Sequence, residues 1–142
     1  MKRVTLPRPI LTGLAVLTAT AALLTPATAV AAGGAGGGVL AGTWTSIDVP
    51  DGSNQTLTVT GSGNHVYSMV YVDDEATGAC GGRPARLSGP GFVDGDSVLM
   101  VAPLVCLPGG NVPRHRLEIG FQYDPEADTL VDDFGIVWSR AD

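Results

Sequence analysis

Four aromatic residues, Tyr67, Tyr71, Phe121 and Tyr123, are the side chains of this chain best suited to wall a ligand pocket. Each offers an apolar face, and the three tyrosines add a hydroxyl that can orient a bound molecule. On extended backbone, alternate residues share a face. Tyr67, Met69 and Tyr71 therefore line up on one strand, and Phe121 joins Tyr123 on another. The same side chains would also serve to complete a core.

The inventory for catalysis is thin. His65 sits beside a turn and His115 lies between Arg114 and Arg116, neither with an orienting carboxylate nearby in sequence. Gly61-Ser62-Gly63 reads as a hairpin turn, and no Gly-x-Ser-x-Gly elbow is present. The acid pairs suit an acidic surface better than a glycosidase. A non-catalytic protein is expected. Asp124, Glu126, Asp128, Asp132 and Asp133 have the hard oxygen ligands calcium prefers, but without an EF-hand loop or glycine-aspartate repeat they read as turn chemistry. Asp73-Asp74-Glu75 reads as a solvated loop. No metal and no cofactor is expected.

The two cysteines, Cys80 and Cys106, are expected to pair, since nothing around them resembles a metal-ligand spacing. Closing a loop of about 27 residues contributes roughly 3–4 kcal/mol by the chain-entropy argument. The compartment implied by the first residues agrees with pairing. Lys2, Arg3 and Arg8 precede an apolar stretch from Ile10 to Leu24, followed by small-residue triplets at 27–31. This is the order of a secretory signal, and the stretch falls short of the roughly 20 apolar residues a bilayer span needs. Residues 1–31 are therefore read as a signal, 32–38 as a glycine-rich spacer, and 39–142 as one domain of a secreted, extracellular protein. Once Lys2, Arg3 and Arg8 are gone, five arginines face fourteen acids, a net charge of −9 with no lysine. Such a surface repels phosphate backbones and anionic headgroups, which excludes nucleic acid and membrane as expected partners.

The elements that must position these residues are strands. From Thr43 onward apolar residues recur with period two between turn signals, and no amphipathic helix stands out. Strands are predicted at 42–49, 55–61, 64–73, 84–89, 97–107, 114–124, 128–133 and 135–140, with a short extra one at 91–94. Turns at Asp51-Gly52-Ser53-Asn54, Gly61-Ser62-Gly63-Asn64, Asp94-Gly95-Asp96 and Asp124–Asp128 would join neighbours into hairpins, giving an antiparallel meander. The strand from Arg114 is half-buried, with Leu117, Ile119, Phe121 and Tyr123 opposite Arg116, Glu118 and Gln122. Val98–Leu107 is apolar almost throughout and would be covered on both sides, while Pro103 calls for an edge, a bulge or a bend.

Gly42-Thr43-Trp44 opens the first strand and Trp138-Ser139-Arg140 closes the last. In these residues the chain resembles the lipocalin and avidin (calycin) group of up-and-down β-barrels. The resemblance implies a closed eight-stranded barrel with Trp44 plugging one end and Arg140 lying on its ring, a cation–π contact of about 1 kcal/mol. The chain departs from an avidin-like biotin site at Ser46 and Pro50, where that site carries asparagine and serine, so biotin is not expected. The ending Asp132–Trp138 also looks like small secreted bacterial domains. A β-sandwich is the alternative fold.

The functional expectation is a binding module that holds a small, partly apolar ligand at the barrel mouth against Tyr67, Tyr71, Phe121 and Tyr123. The alternative is a protein-interaction module, such as an inhibitor of secreted hydrolases, that presents the loop from Cys80 to Pro84 with Arg83, or the loop Pro108–Pro113 with Asn111.

Overall fold

A computed structural model describes residues 38–62 and 65–142, with the His115 side chain outside the described set. The segment read as a signal, the spacer up to Gly37, and residues 63–64 of the second turn also lie outside it. Alternation along β2 (Asn54–Thr60) shows why such segments become strands. Gln55, Leu57 and Val59 turn inward and are buried, while β-branched threonines fill the outer face. The other strands are β1 (Gly42–Ile47), β3 (Val66–Ala76), β4 (Arg83–Asp94), β5 (Ser97–Cys106), β6 (Asn111–Asp124), β7 (Thr129–Asp132) and β8 (Val137–Arg140). A one-turn helix, α1 (Thr77–Cys80), follows β3.

Each strand pairs antiparallel with the next, and β8 returns to β1 through Trp44–Arg140 and Thr45–Ser139. The meander is therefore a closed eight-stranded barrel rather than a sandwich, and no sheet edge is left unpaired. Cys80 and Cys106 form the expected disulfide, with Cα atoms 5.5 Å apart, tying α1 to the end of β5.

A barrel of eight strands is just wide enough for side chains to fill it. Here Trp44, Leu57, Met69, Leu87, Met100, Leu130 and Trp138 are fully buried along the axis. The middle of the barrel is therefore filled by side chains. Strands β1, β3, β5 and β7 start at the end that holds Trp44, called the Trp44 end. The loops β1–β2, β3–β4, β5–β6 and β7–β8 surround the opposite end, called the Gln55 end.

Several boundaries differ from expectation for local reasons. The predicted 84–89 and 91–94 strands are one, β4, running through Gly89-Pro90-Gly91. A Cβ on Gly91 would stand 2.1 Å from the sulfur of Met69, so glycine there lets Met69 fill the core without a break in the strand. Strand β3 continues three residues past its predicted end, through a register shift between Asp73 and Ala76, which leads directly into α1. The ladder is likewise irregular between Ala102 and Leu104, around the exposed Pro103. Strand β5 is half-buried rather than covered on both sides: Val98, Met100, Ala102 and Leu104 face inward and Leu99 is 42% exposed. Strand β6 has the predicted faces, with Ile119 and Phe121 buried.

Candidate functional site

The Trp44 end is built around one arginine. Arg140, at the close of β8, points inward beside Trp44, and its guanidinium carbon lies 4.1 Å from the centroid of the indole. Its Nη1 donates to the Ala41 carbonyl at 2.8 Å, and its Nη2 to the Val39 carbonyl at 2.9 Å. Nε and Nη2 also reach the Asp128 carboxylate, at 2.7 and 2.9 Å. Asp128 in turn accepts from the Tyr123 hydroxyl at 3.1 Å, and the Trp44 indole N–H donates to the Leu40 carbonyl at 3.1 Å. The chain segment before β1 is thus strapped across the barrel end. Gly42 makes room for this strap, since a Cβ there would lie 2.6 Å from Nη1, at a φ of +143°. The Arg140 donors hold the Asp128 carboxyl below its ordinary range, and burial followed by the Asp128 contact raises the Tyr123 phenol.

Between the strap and the hairpins lies a cavity of about 640 Å³, lined by Val39, Leu40, Tyr67, Val93, Tyr123 and Pro125 among others. Two of the four predicted wall residues, Tyr67 and Tyr123, meet here. The other two do not. Tyr71 packs at 5.6 Å and Phe121 at 6.0 Å from the Trp138 ring, further along the barrel.

The Gln55 end carries polar groups on its inner face. Gln55 stands opposite Asp73 in the β2–β3 register and is 3% exposed, with an Oε1 that has no hydrogen-bond partner. Asp73 is 6% exposed, so it is an interior residue of β3 rather than part of a solvated loop. The Ser53 hydroxyl and the Glu75 amide both donate to its Oδ1. Asp132, 8% exposed, accepts the Trp138 indole N–H on Oδ2 at 3.1 Å and the amides of Phe134 and Ile136 on Oδ1. Tyr71, half-buried in the same interior, has its phenol pushed far up, first by burial and then by the charges of Asp73, Asp48, Asp132 and Asp51. Burial and the neighbouring Asp51, Asp73 and Asp132 likewise raise the Asp48 carboxyl. Sequence reasoning missed Gln55 and read Asp73 as part of a solvated loop and Asp132 as turn chemistry, although a signal of inward polar groups existed. Gln55-x-Leu57-x-Val59 and Tyr67-x-Met69-x-Tyr71-x-Asp73 both place a polar residue in phase with an apolar inward row.

The remaining candidates have partners within the chain. Asp124 Oδ1 accepts from the Glu126 and Ala127 amides, which is turn chemistry, whereas Asp133 Oδ2 accepts from the Gly120 amide of β6, a link between strands rather than within a turn. Among the described residues no group of three or more His, Cys, Asp or Glu side chains is set to hold a metal ion. His65 is exposed. The two candidate interaction loops both lie at the Gln55 end, drawn together by the disulfide. There Arg83 Nε donates to the Cys80 carbonyl, and the Leu107 amide to the Pro84 carbonyl. No family model, curated protein or solved structure matches the chain.

Proposed function

We propose that this protein is a secreted, non-catalytic binding module that holds a small, partly apolar molecule at the Trp44 end of its barrel. The observation that carries this reading is the cavity of about 640 Å³ against Tyr67 and Tyr123, within the range of small-molecule sites. Its walls are mainly Val39, Leu40, Val93 and the two tyrosine rings, with Ser62 and Asp96 supplying polar contacts at the rim. The filled barrel axis supports an end site over an interior one. Resemblance to the lipocalin and avidin group, carried by Gly42-Thr43-Trp44 and Arg140, supports a ligand-binding role, and the signal-like residues 1–31 support export.

The test is titration with N-phenyl-1-naphthylamine, a neutral apolar dye whose fluorescence rises on leaving water. The wild type is expected to bind it, and Tyr67→Ala and Tyr123→Ala each to weaken binding about tenfold, about 1.4 kcal/mol. Far-ultraviolet circular dichroism would verify that both variants stay folded. A wild type that leaves the dye dark, or variants that bind it as well as wild type, would rule this site out.

A further inference from the structure

The Gln55 end has a chemistry the apolar cavity lacks. Gln55 Oε1, buried and without a donor, shares the inner face with Asp73, directly across the β2–β3 ladder. Both described bonds to Asp73 fall on Oδ1, which leaves Oδ2 free to accept another donor. On the other wall Asp132 is joined to Trp138, and Trp138 to Tyr71, by contacts of 3.1 and 5.6 Å. The charges that act most strongly on the Tyr71 phenol are those of carboxylates, Asp73 first. Arg140 is engaged at the opposite end, Arg116 pairs with Glu118 on the outer face of β6, and Arg83, which lies at this end, turns its Nε to the Cys80 carbonyl.

An amide oxygen and a carboxylate oxygen left without donors, beside a second carboxylate and aromatic rings, match a cation that carries N–H groups and an apolar body. Burying an acceptor unpartnered costs about 1–3 kcal/mol, which a donor from a ligand would recover. Carboxylates attract positive charge to a partly water-excluded mouth, and aromatic rings favour a cation over their faces. A bare metal ion fits less well, because no group of three or more carboxylates or other ligating side chains converges among the described residues. We propose that the Gln55 end binds a small organic ammonium ion. Its charged head sits among Gln55 Oε1, Asp73 and Asp132, and its apolar body lies against Tyr71. This site is separate from the Trp44-end cavity.

The two tryptophans give each end its own reporter. The Trp138 indole N–H is bonded to Asp132 at one end, and the Trp44 indole N–H to the Leu40 carbonyl at the other. The oxidised protein, labelled with ¹⁵N, is titrated with phenethylammonium chloride up to about 10 mM, enough to nearly fill even a millimolar site. Phenethyl alcohol, hydrocinnamate and calcium chloride are titrated in parallel. The expected result is a saturable shift of the Trp138 indole resonance with the ammonium alone, while Trp44 stays in place. Gln55→Leu should weaken binding at least tenfold while raising the melting temperature, and Asp73→Asn should weaken it by a similar factor. Opposite movement of affinity and stability in Gln55→Leu separates a binding group from a structural one. The proposal is overturned if Trp138 does not move, or moves equally with the alcohol. It is also overturned if only calcium moves Trp138, if the amine moves Trp44 instead, or if Gln55→Leu binds the amine as tightly as wild type.

Discussion

The two ends of this barrel are made from the same kinds of residue and use them in opposite ways. At the Trp44 end a carboxylate, a tyrosine hydroxyl and an arginine satisfy one another, with Arg140 alone making five contacts to Asp128, Val39, Ala41 and the Trp44 ring. At the Gln55 end the charges that bear most on the Tyr71 phenol are those of Asp73, Asp48, Asp132 and Asp51, and Gln55 Oε1 is left unpaired. Charge there is arranged for something outside the chain. The contrast teaches that a closed barrel secures its stability at one end, and the other is thereby free to keep unfavourable groups in place.

The contrast can be broken most severely at Arg140. Arg140→Ala removes charge-assisted hydrogen bonds and the contact over Trp44 from a side chain that is 31% exposed. A loss of about 3 kcal/mol is expected, measured by urea unfolding. A loss under about 1 kcal/mol would show that the strap is held by packing instead. At the other end the sign should reverse. Gln55→Leu replaces an unpartnered acceptor with a methyl-bearing side chain of similar reach, and should gain about 1 kcal/mol in the same assay. A loss would mean that Gln55 has a structural partner.

Acidification sharpens the comparison with a smaller effect. The Asp128 carboxyl is held low by Arg140, so its stabilisation is present above the ordinary aspartate value and is lost as pH falls through its lowered one. The Asp48 carboxyl is raised by burial and by its acidic neighbours, so its charge costs stability above the raised value, and the cost disappears as pH falls through it. Asp128→Asn should therefore melt below wild type at pH 7, and Asp48→Asn about 2 °C above it. The Asp48 difference should fade as pH falls toward about 4, and the Asp128 difference only below it, through the lowered value of that carboxyl. Thermal melts across that range check the two signs together, and equal signs would erase the distinction between the ends.

Much of the barrel was readable one strand at a time. The alternation of Leu117, Ile119, Phe121 and Tyr123 gave the inner face of β6, and the turn residues gave the meander. Where reading failed, packing across strands had overruled local signals. Gly89-Pro90-Gly91 punctuates the sequence like a turn, yet β4 passes through it because Met69 of the neighbouring strand occupies the space a side chain would take. Asp73-Asp74-Glu75 looks like a solvated loop, yet β3 extends through it and carries Asp73 inside. The four-aromatic wall divided for a similar reason. Tyr67 and Tyr71 share a face of β3, but four residues of extended chain span about 13 Å, enough to place them toward different ends.

By itself, the sequence determined the class and number of strands, their antiparallel order, the pairing of the only two cysteines and the acidic balance. Those follow from periodicity, turn chemistry and composition, which act over a few residues at a time. The resemblance carried by Gly42-Thr43-Trp44 and Arg140 had also implied that the barrel closes and that Arg140 lies over Trp44, as found, but only the tertiary structure decided how β8 registers on β1, that Arg140 ties down Val39 and Ala41, and that Gln55, Asp73 and Asp132 lie at one end. Those pairings join residues as many as 101 positions apart, as in the bond from Arg140 to Val39, and register alone brings them together.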